Sequence, residues 1–188
     1  PHHYAKIKSI DTSKVEALPG VLAVATGQDA PNTFGVLPVT KDEHAMAVEK
    51  VRHVGDLVAC VAAVDEATAM EALNLFEIEW EVLEPVFDPK KGLEDQDEPI
   101  HWRGKYHVGK TNVQKRVFQE FGDRSLVEEP SASSHGKWRM EGVHHGFTEP
   151  HAVVAHWDPN GRLQLYTPQQ VPHYAHRALS TVPEVPMT

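Results

Sequence analysis

The sequence has one cysteine, Cys60, in 188 residues. That scarcity excludes an internal disulfide framework, a cysteine-rich zinc site and an all-cysteine iron–sulfur cluster within this chain. If the protein does redox chemistry, its electrons leave through other domains or subunits. Positive charge is also short: 18 Lys and Arg stand against 27 Asp and Glu, a net charge of -9. Nucleic acid and anionic membranes both demand a basic face, so neither is an expected partner. No apolar run approaches the length of a membrane span, no signal peptide is visible, and a cytoplasmic location is expected. Internal repeats and low-complexity tracts are missing. So are a Gly-x-Ser-x-Gly elbow and a His-Glu-x-x-His helix, which removes the usual signatures of a serine hydrolase and a zinc peptidase. The first residue is Pro1, not Met, and the end at Thr188 follows Pro-Glu-Val-Pro-Met without a closing pattern. The chain is therefore expected to be a piece of a longer polypeptide.

What is present reads as α+β. The segment Val51 to Asp88 organises the pattern. Leu57 to Val64 is a continuous apolar and small-residue run, which predicts a strand covered on both faces. Cys60 lies inside it and is expected to be a buried, inert thiol. Asp65 suits an N-cap, and Ala69, Met70, Ala72, Leu73 and Phe76 give the following helix one apolar side. The period then switches to two. Ile78, Trp80 and Val82 face one way, and Glu77, Glu79 and Glu81 form a wet face. Strand, helix and strand read together as one compact α/β unit.

Before it, Tyr4 to Ile10 and Val21 to Thr26 read as strands, with a short helix between them capped from Asp11, Thr12 or Ser13 and stopped by Pro19-Gly20. Asp29 to Val39 reads as a loop, and residues 41–50 carry only a weak pattern. Asp88 to Gly122 is dense in charge, Gly and Pro, as in a surface-wrapping linker or a domain boundary. Gly104 to Lys110 is superficially like a phosphate loop, but its spacing does not fit and no apolar strand precedes it.

A β-rich part is expected from Ser134 on. Lys137 to Val143 and His151 to Trp157 read as strands. Asp158-Pro159-Asn160-Gly161 is a strong turn signal, and Arg162 to Thr167 alternates as a returning strand. Pro172 suits the first turn of a helix running to Thr181, with Ala175, Ala178 and Leu179 inward.

Chemistry-bearing candidates are few. His144, His145 and His151, with Glu149 between, are the densest metal-type donors, but neighbouring histidines on a strand point apart, and hydrogen-bonded structural histidines are the ordinary explanation. The three glutamates of the acidic strand could include a glycosidase-type pair, though a solvated face explains them. Gln169 and Gln170 sit where a strand ends and a helix begins, a common ligand position in α/β proteins. A glutamine amide donates to an oxo or carbonyl oxygen without titrating. A polar turn capping the helix is the plainer reading.

Several stretches together resemble a known family. Val51-Arg52-His53-Val54-Gly55-Asp56-Leu57-Val58-Ala59, then Asp65, Ala69 and Ala72, then Trp80-Glu81-Val82-Leu83 are similar to the a/b hammerhead domain that opens the molybdenum-binding large subunits of the xanthine dehydrogenase and aldehyde oxidase family. Pro1-His2-His3-Tyr4-Ala5-Lys6-Ile7 and Leu18-Pro19-Gly20-Val21 with Thr26-Gly27 resemble the same domain's opening. Phe121-Gly122-Asp123, Glu149-Pro150-His151-Ala152 and Pro168-Gln169-Gln170-Val171-Pro172-His173 resemble motifs of the next domain, in the same order. Leu57 departs from the family's proline, and Glu84-Pro85 is shifted against its Leu-Pro.

The resemblance implies an a/b hammerhead domain over residues 1–110, then a linker and the β-rich start of a molybdopterin-binding domain over residues 111–188. It implies molybdopterin with molybdenum as cofactor, in bacteria usually as the cytosine dinucleotide. [2Fe–2S] clusters and FAD would sit on an iron–sulfur small subunit and an FAD-binding medium subunit, or on partner domains. The substrate would be a small aromatic, heteroaromatic or aldehyde molecule. The position matching Gln170 is a glutamine beside the apical oxo ligand of molybdenum, so the resemblance makes Gln170 a cofactor-binding residue. The family's Gly-Gly-Gly-Phe-Gly cofactor loop and its catalytic glutamate match nothing up to residue 188, so no catalytic residue and no metal ligand are expected here, and a chain ending at Thr188 is expected to be inactive alone. The opening Pro-His-His and Gly35-Val36-Leu37-Pro38 are most similar to the aryl-CoA branch, represented by the alpha subunit of 4-hydroxybenzoyl-CoA reductase. Arg124-Ser125 reads as a solvated loop, with an approach to the cofactor left open. A second reading is a free-standing α/β binding or assembly module without redox activity.

Overall fold

The sequence alternation at the N-terminus builds the centre of the fold. In a computed structural model that describes residues 1–36, 41–101, 109–123, 125 and 131–186, β1 (Ala5–Asp11) is the middle strand of a three-stranded antiparallel sheet. The Leu37-Pro38 pair, residues 104–108 of the loop-like segment and Arg124 lie outside the described residues. The chain divides into two compact units, one made of Pro1–Arg116 with Val171–Thr188 and the other of Val117–Gln170.

In the larger unit, β1 is followed by a short helix α1 (Ser13–Glu16) and by β2 (Val21–Thr26). The Asp11 carboxylate accepts from the Ser13 N–H at 2.9 Å, so the first helical donor is capped from two residues upstream. Val15 is fully buried. Gly20 ends the segment at φ +95°, a left-handed conformation that favours glycine. Two short strands follow inside the expected loop and its neighbour: β3 (Thr33–Phe34) pairs with β4 (Glu43–His44). Next come β5 (Lys50–Val51), β6 (Ala59–Ala63), helix α2 (Glu66–Leu73) and β7 (Glu77–Val82).

The β1–β7 register explains a spacing that simple alternation does not. Ile7 pairs with Trp80 and Ser9 with Glu79, so Lys8 is an extra residue without a partner. That bulge lets Ile7 and Ile10, three apart in sequence, oppose Trp80 and Ile78 on the same face. Ile7, Trp80 and Val58 pack on a small core of Ala5, Ala47 and Val51. On the other face, Lys6 lies 3.6 Å from Glu81, Lys8 also pairs with Glu81, and Lys14 pairs with Glu77. Ser9 donates to Glu79 at 3.4 Å. The acidic face of β7 is thus zipped by partners from β1 and α1. Like charges in one row repel, and interleaved cations offset this.

Three expectations need correction. The strand–helix–strand segment is not one sheet unit. β6 pairs with β2 and β7 with β1, so α2 links two sheets. Nor is β6 covered on both faces: Ala59, Val61 and Ala63 are half-buried while Ala62 and Cys60 are exposed. A two-stranded sheet presents one face to a core and the other to water, and small residues on the wet face do not reveal the difference in sequence. The Cys60 thiol is therefore exposed, not buried. In α2 only Ala72 is buried, whereas Met70 and Leu73 are about half exposed. The predicted cap holds: Asp65 accepts from the Thr68 N–H at 2.8 Å. Capping of this kind contributes about 1 kcal/mol.

The charge-rich stretch after β7 wraps the larger unit. A short 3-10 turn at Lys91–Leu93 lies near its start. Asn112 N–H donates to the Gly92 carbonyl at 2.8 Å, and the Asn112 side chain accepts from Ile100 N–H at 2.9 Å.

In the smaller unit, β8 (Val154–Trp157) and β9 (Leu163–Tyr166) form the expected hairpin. The Asp158 carboxylate accepts from the Asn160 and Arg162 N–H groups at 2.8 and 2.9 Å, and Gly161 adopts φ +81°. Leu163 and Leu165 are half-buried and Gln164 and Tyr166 exposed, as the alternation predicts. Lys137–Val143 is not a strand; its backbone has no ladder partner among the described residues, and a strand requires one. Helix α3 (Pro172–Thr181) starts with Pro172 in its first turn and returns to the larger unit. Ala175, Ala178 and Leu179 are half-buried on it, and the Asn32 amide donates to Glu184 at 3.1 Å.

Candidate functional site

The strongest polar constellation lies in the larger unit and was not legible in the sequence. β5 follows β1 in antiparallel pairing, with Lys6 opposite Lys50. That pairing carries Lys50 into the interior, where it is 8% exposed. Burial of an ammonium requires partners, and Lys50 Nζ donates to the Tyr4 hydroxyl at 2.9 Å, to Glu98 Oε1 at 2.8 Å and to the Pro99 carbonyl at 2.7 Å. All three of its N–H bonds are used. Tyr4 in turn donates to Pro99 O at 2.8 Å, and Arg52 Nε donates to Ile100 O at 3.0 Å. The wrapping segment is thus fastened to the sheet by buried charge.

The electrostatics follow from these contacts. Hydrogen bonds from Lys50 and then Lys6 hold the Glu98 carboxyl below the usual glutamate range. A hydrogen bond to Glu98 raises the exposed Lys6 ammonium above the ordinary lysine value. The hydrogen bond from Lys8 lowers Glu81. A cavity of about 800 Å³ opens beside this network, lined by side chains from β1, the Lys41–His44 segment, β5 and the Glu98–His101 segment. There His101 Nδ1 and Asp42 Oδ2 lie 2.9 Å apart. His44 Nδ1 is buried and has no hydrogen-bond partner among the described residues. Nothing in the weak pattern of residues 41–50 marks Lys50 or His44 as special; a lysine before a valine is ordinary in sequence.

The residues singled out from sequence are arranged differently. Gln169 and Gln170 are both exposed, between the end of β9 and the start of α3. Their amides are uncharged hydrogen-bond donors, and in sequence they shortly precede a ten-residue helix. That donor set suits a polar, oxygen-rich cofactor. His144, His145, Glu149 and His151 are exposed and do not converge. The Phe147 ring separates two of them, stacked on His144 at 5.8 Å and edge-on to His151 at 5.4 Å. Among the described residues no group of three or more His, Cys, Asp or Glu could hold a metal ion. No helix among them is long and apolar enough to cross a membrane.

Two stretches of the chain match known domains. Residues 1–84 match the a/b hammerhead domain of aldehyde oxidase and xanthine dehydrogenase. Residues 107–188 match the molybdopterin cofactor-binding domain. The chain therefore carries an a/b hammerhead domain of the aldehyde oxidase and xanthine dehydrogenase kind, followed by a molybdopterin cofactor-binding domain. Among its relatives is the nicotinate dehydrogenase large molybdopterin subunit of Eubacterium barkeri, 36% identical over 183 residues, covering 93% of this chain and 39% of the relative. The fold matches the crystal structure of a Cu,Mo-CO dehydrogenase with a TM-score of 0.74 at 29% identity, over 99% of this chain and 25% of that one. It matches quinoline 2-oxidoreductase from Pseudomonas putida 86 equally well, with a TM-score of 0.74 at 25% identity, over 100% of this chain and 24% of that one. The chain thus spans well under half the length of the relatives it matches.

Proposed function

We propose that this chain is the N-terminal portion of a molybdopterin-dependent oxidoreductase subunit that hydroxylates a small heteroaromatic ring. The observation that carries the reading is the ordered pair of domain matches, hammerhead first and cofactor-binding second, on one chain. The nicotinate and quinoline named in two similar proteins favour a nitrogen heterocycle. Domain boundaries of 1–110 and 111–188 go with this reading, as do the cytosine dinucleotide form of the cofactor and a cytoplasmic location. Iron–sulfur and FAD partners would carry the electrons away, since one cysteine cannot hold a cluster.

When bound, molybdopterin supplies the redox centre. Gln170 then gives it an amide hydrogen-bond donor whose charge does not change with pH. The helix start at Pro172 fixes the chain direction directly after Gln170. A catalytic base would come from outside the residues described here. An alternative substrate reading, an aryl-CoA thioester of the kind 4-hydroxybenzoyl-CoA reductase uses, rests on the resemblance of Pro1-His2-His3 and Gly35-Val36-Leu37-Pro38 to that branch.

The test is made on the complete holoenzyme containing this chain. Molybdenum is quantified, and turnover is assayed with nicotinate, quinoline and 4-hydroxybenzoyl-CoA. Near-stoichiometric molybdenum with heterocycle turnover is expected, and Gln170→Ala should lower kcat about 10- to 100-fold at unchanged molybdenum content. Absence of molybdenum from an intact, folded complex would overturn the reading in favour of a binding or assembly module.

A further inference from the structure

We infer that the cavity of the larger unit is a binding site for a small oxyanion, a phosphate or phosphate-ester group. This does not rest on the function proposed above. The volume, about 800 Å³, lies in the range of small-molecule sites. Its lining reverses the charge of the chain: Lys6, Lys8, Lys41, Lys50 and Arg52 face Asp42, Glu49 and Glu98, in a protein of net charge -9.

The cations divide into two groups. Lys6, Lys8 and Lys50 are held by Glu98 and Glu81 and serve the fold. Lys41 and Arg52 have no carboxylate partner among the described residues. Arg52 uses Nε on Ile100 O and Nη1 on Lys50 O, both backbone carbonyls, and Nη2 has no partner among the described residues. An arginine fork matches an oxyanion in charge and geometry.

His44 supplies the independent observation. Its Nδ1 is buried without a partner among the described residues, a state that is unfavourable unless a ligand supplies the hydrogen bond. A donor on His44 in the same cavity as Lys41 and Arg52 gives an oxyanion three kinds of N–H. Glu49, a lining acid with no ion-pair partner among the described residues, is exposed and solvated, and so opposes the bound charge only weakly.

The test is a two-dimensional NMR titration of the chain with inorganic phosphate and, separately, phenyl phosphate. Saturable shifts are expected at the amides of Lys41, Asp42, His44 and Arg52, with half-saturation at or below about 1 mM. Lys41→Gln, at an exposed position that leaves the other resonances unmoved, should weaken binding about tenfold, and Arg52→Gln and His44→Asn by as much or more. Tighter binding of phenyl phosphate would identify an esterified phosphate as the ligand, and equal binding the free ion. No saturation by about 20 mM phosphate, or shifts that ignore the Lys41→Gln substitution, would overturn the inference.

Discussion

The two units of this chain hold similar kinds of residue and use them differently. In Pro1–Arg116 with Val171–Thr188, strands pair across long sequence separations and enclose Ala5, Ala47, Val51, Val15 and Ala72. In Val117–Gln170, Trp138, Met140, Val143, Phe118 and Phe121 are each at least 85% exposed. Every buried residue among those described belongs to the larger unit. Apolar side chains alone therefore do not make a core. A strand must find a ladder partner before its apolar face can be covered, and a lone two-stranded hairpin such as β8–β9 is marginal by itself.

Four changes break or sharpen that contrast. The largest effect is expected from Gly27→Ala. A Cβ there would sit 2.3 Å from the Ala47 carbonyl oxygen, backbone that cannot swing aside. Destabilisation of about 3 kcal/mol is expected, read as a lower urea midpoint of the larger unit. A midpoint within error of the parent chain would show that the Gly27–Ala47 approach is not part of the core.

Lys50→Met comes next. It removes three hydrogen bonds and leaves Glu98 with Lys6 alone. Because Glu98 is 37% exposed and stays partly solvated, the loss should be about 2 kcal/mol, less than for a fully buried pair. Hydrogen exchange should rise first at the Asn112 and Ile100 amides, which the fastened segment protects.

The third change concerns pH. The folded-state pKa of Glu98 is depressed, so its stabilisation is complete above the unfolded glutamate value and is lost as pH falls through the folded value. Between pH 7 and 3, the parent chain should therefore lose more stability than Glu98→Gln, which is already without that contribution. Parallel losses in both would remove Glu98 from the account. Trp138→Ser marks the lower bound. At 85% exposure it should change the urea midpoint by no more than about 0.5 kcal/mol equivalent. A large shift would show that the smaller unit has a core after all.

Much of the fold was readable where local physics decides. Asp65 capped its helix, Pro172 opened another, and Asp158 to Gly161 turned the chain between two alternating strands. β2 occupies Val21–Thr26, the same residues the apolar run marked. Cys60 was misread because alanine and cysteine fit a wet face as well as a dry one. The Lys137–Val143 strand was misread because alternation does not supply a partner. Gln170 was proposed from its position between strand and helix and from family resemblance, while Lys50, His44 and the cavity went unmarked.

By itself, then, the sequence determined the caps, turns and strand periods, the shortage of cysteine, and the ordered stretches that match an a/b hammerhead domain and a molybdopterin cofactor-binding domain. Only the tertiary structure decided that α2 joins two sheets, that a bulge at Lys8 aligns Ile7 with Ile10, and that Lys50 lies buried against Tyr4, Glu98 and Pro99. Caps and turns depend on neighbours within four or five residues. Register and burial depend on partners distant in sequence, as where Val21 lies opposite Ala63 and Lys50 meets Tyr4, which no local pattern specifies.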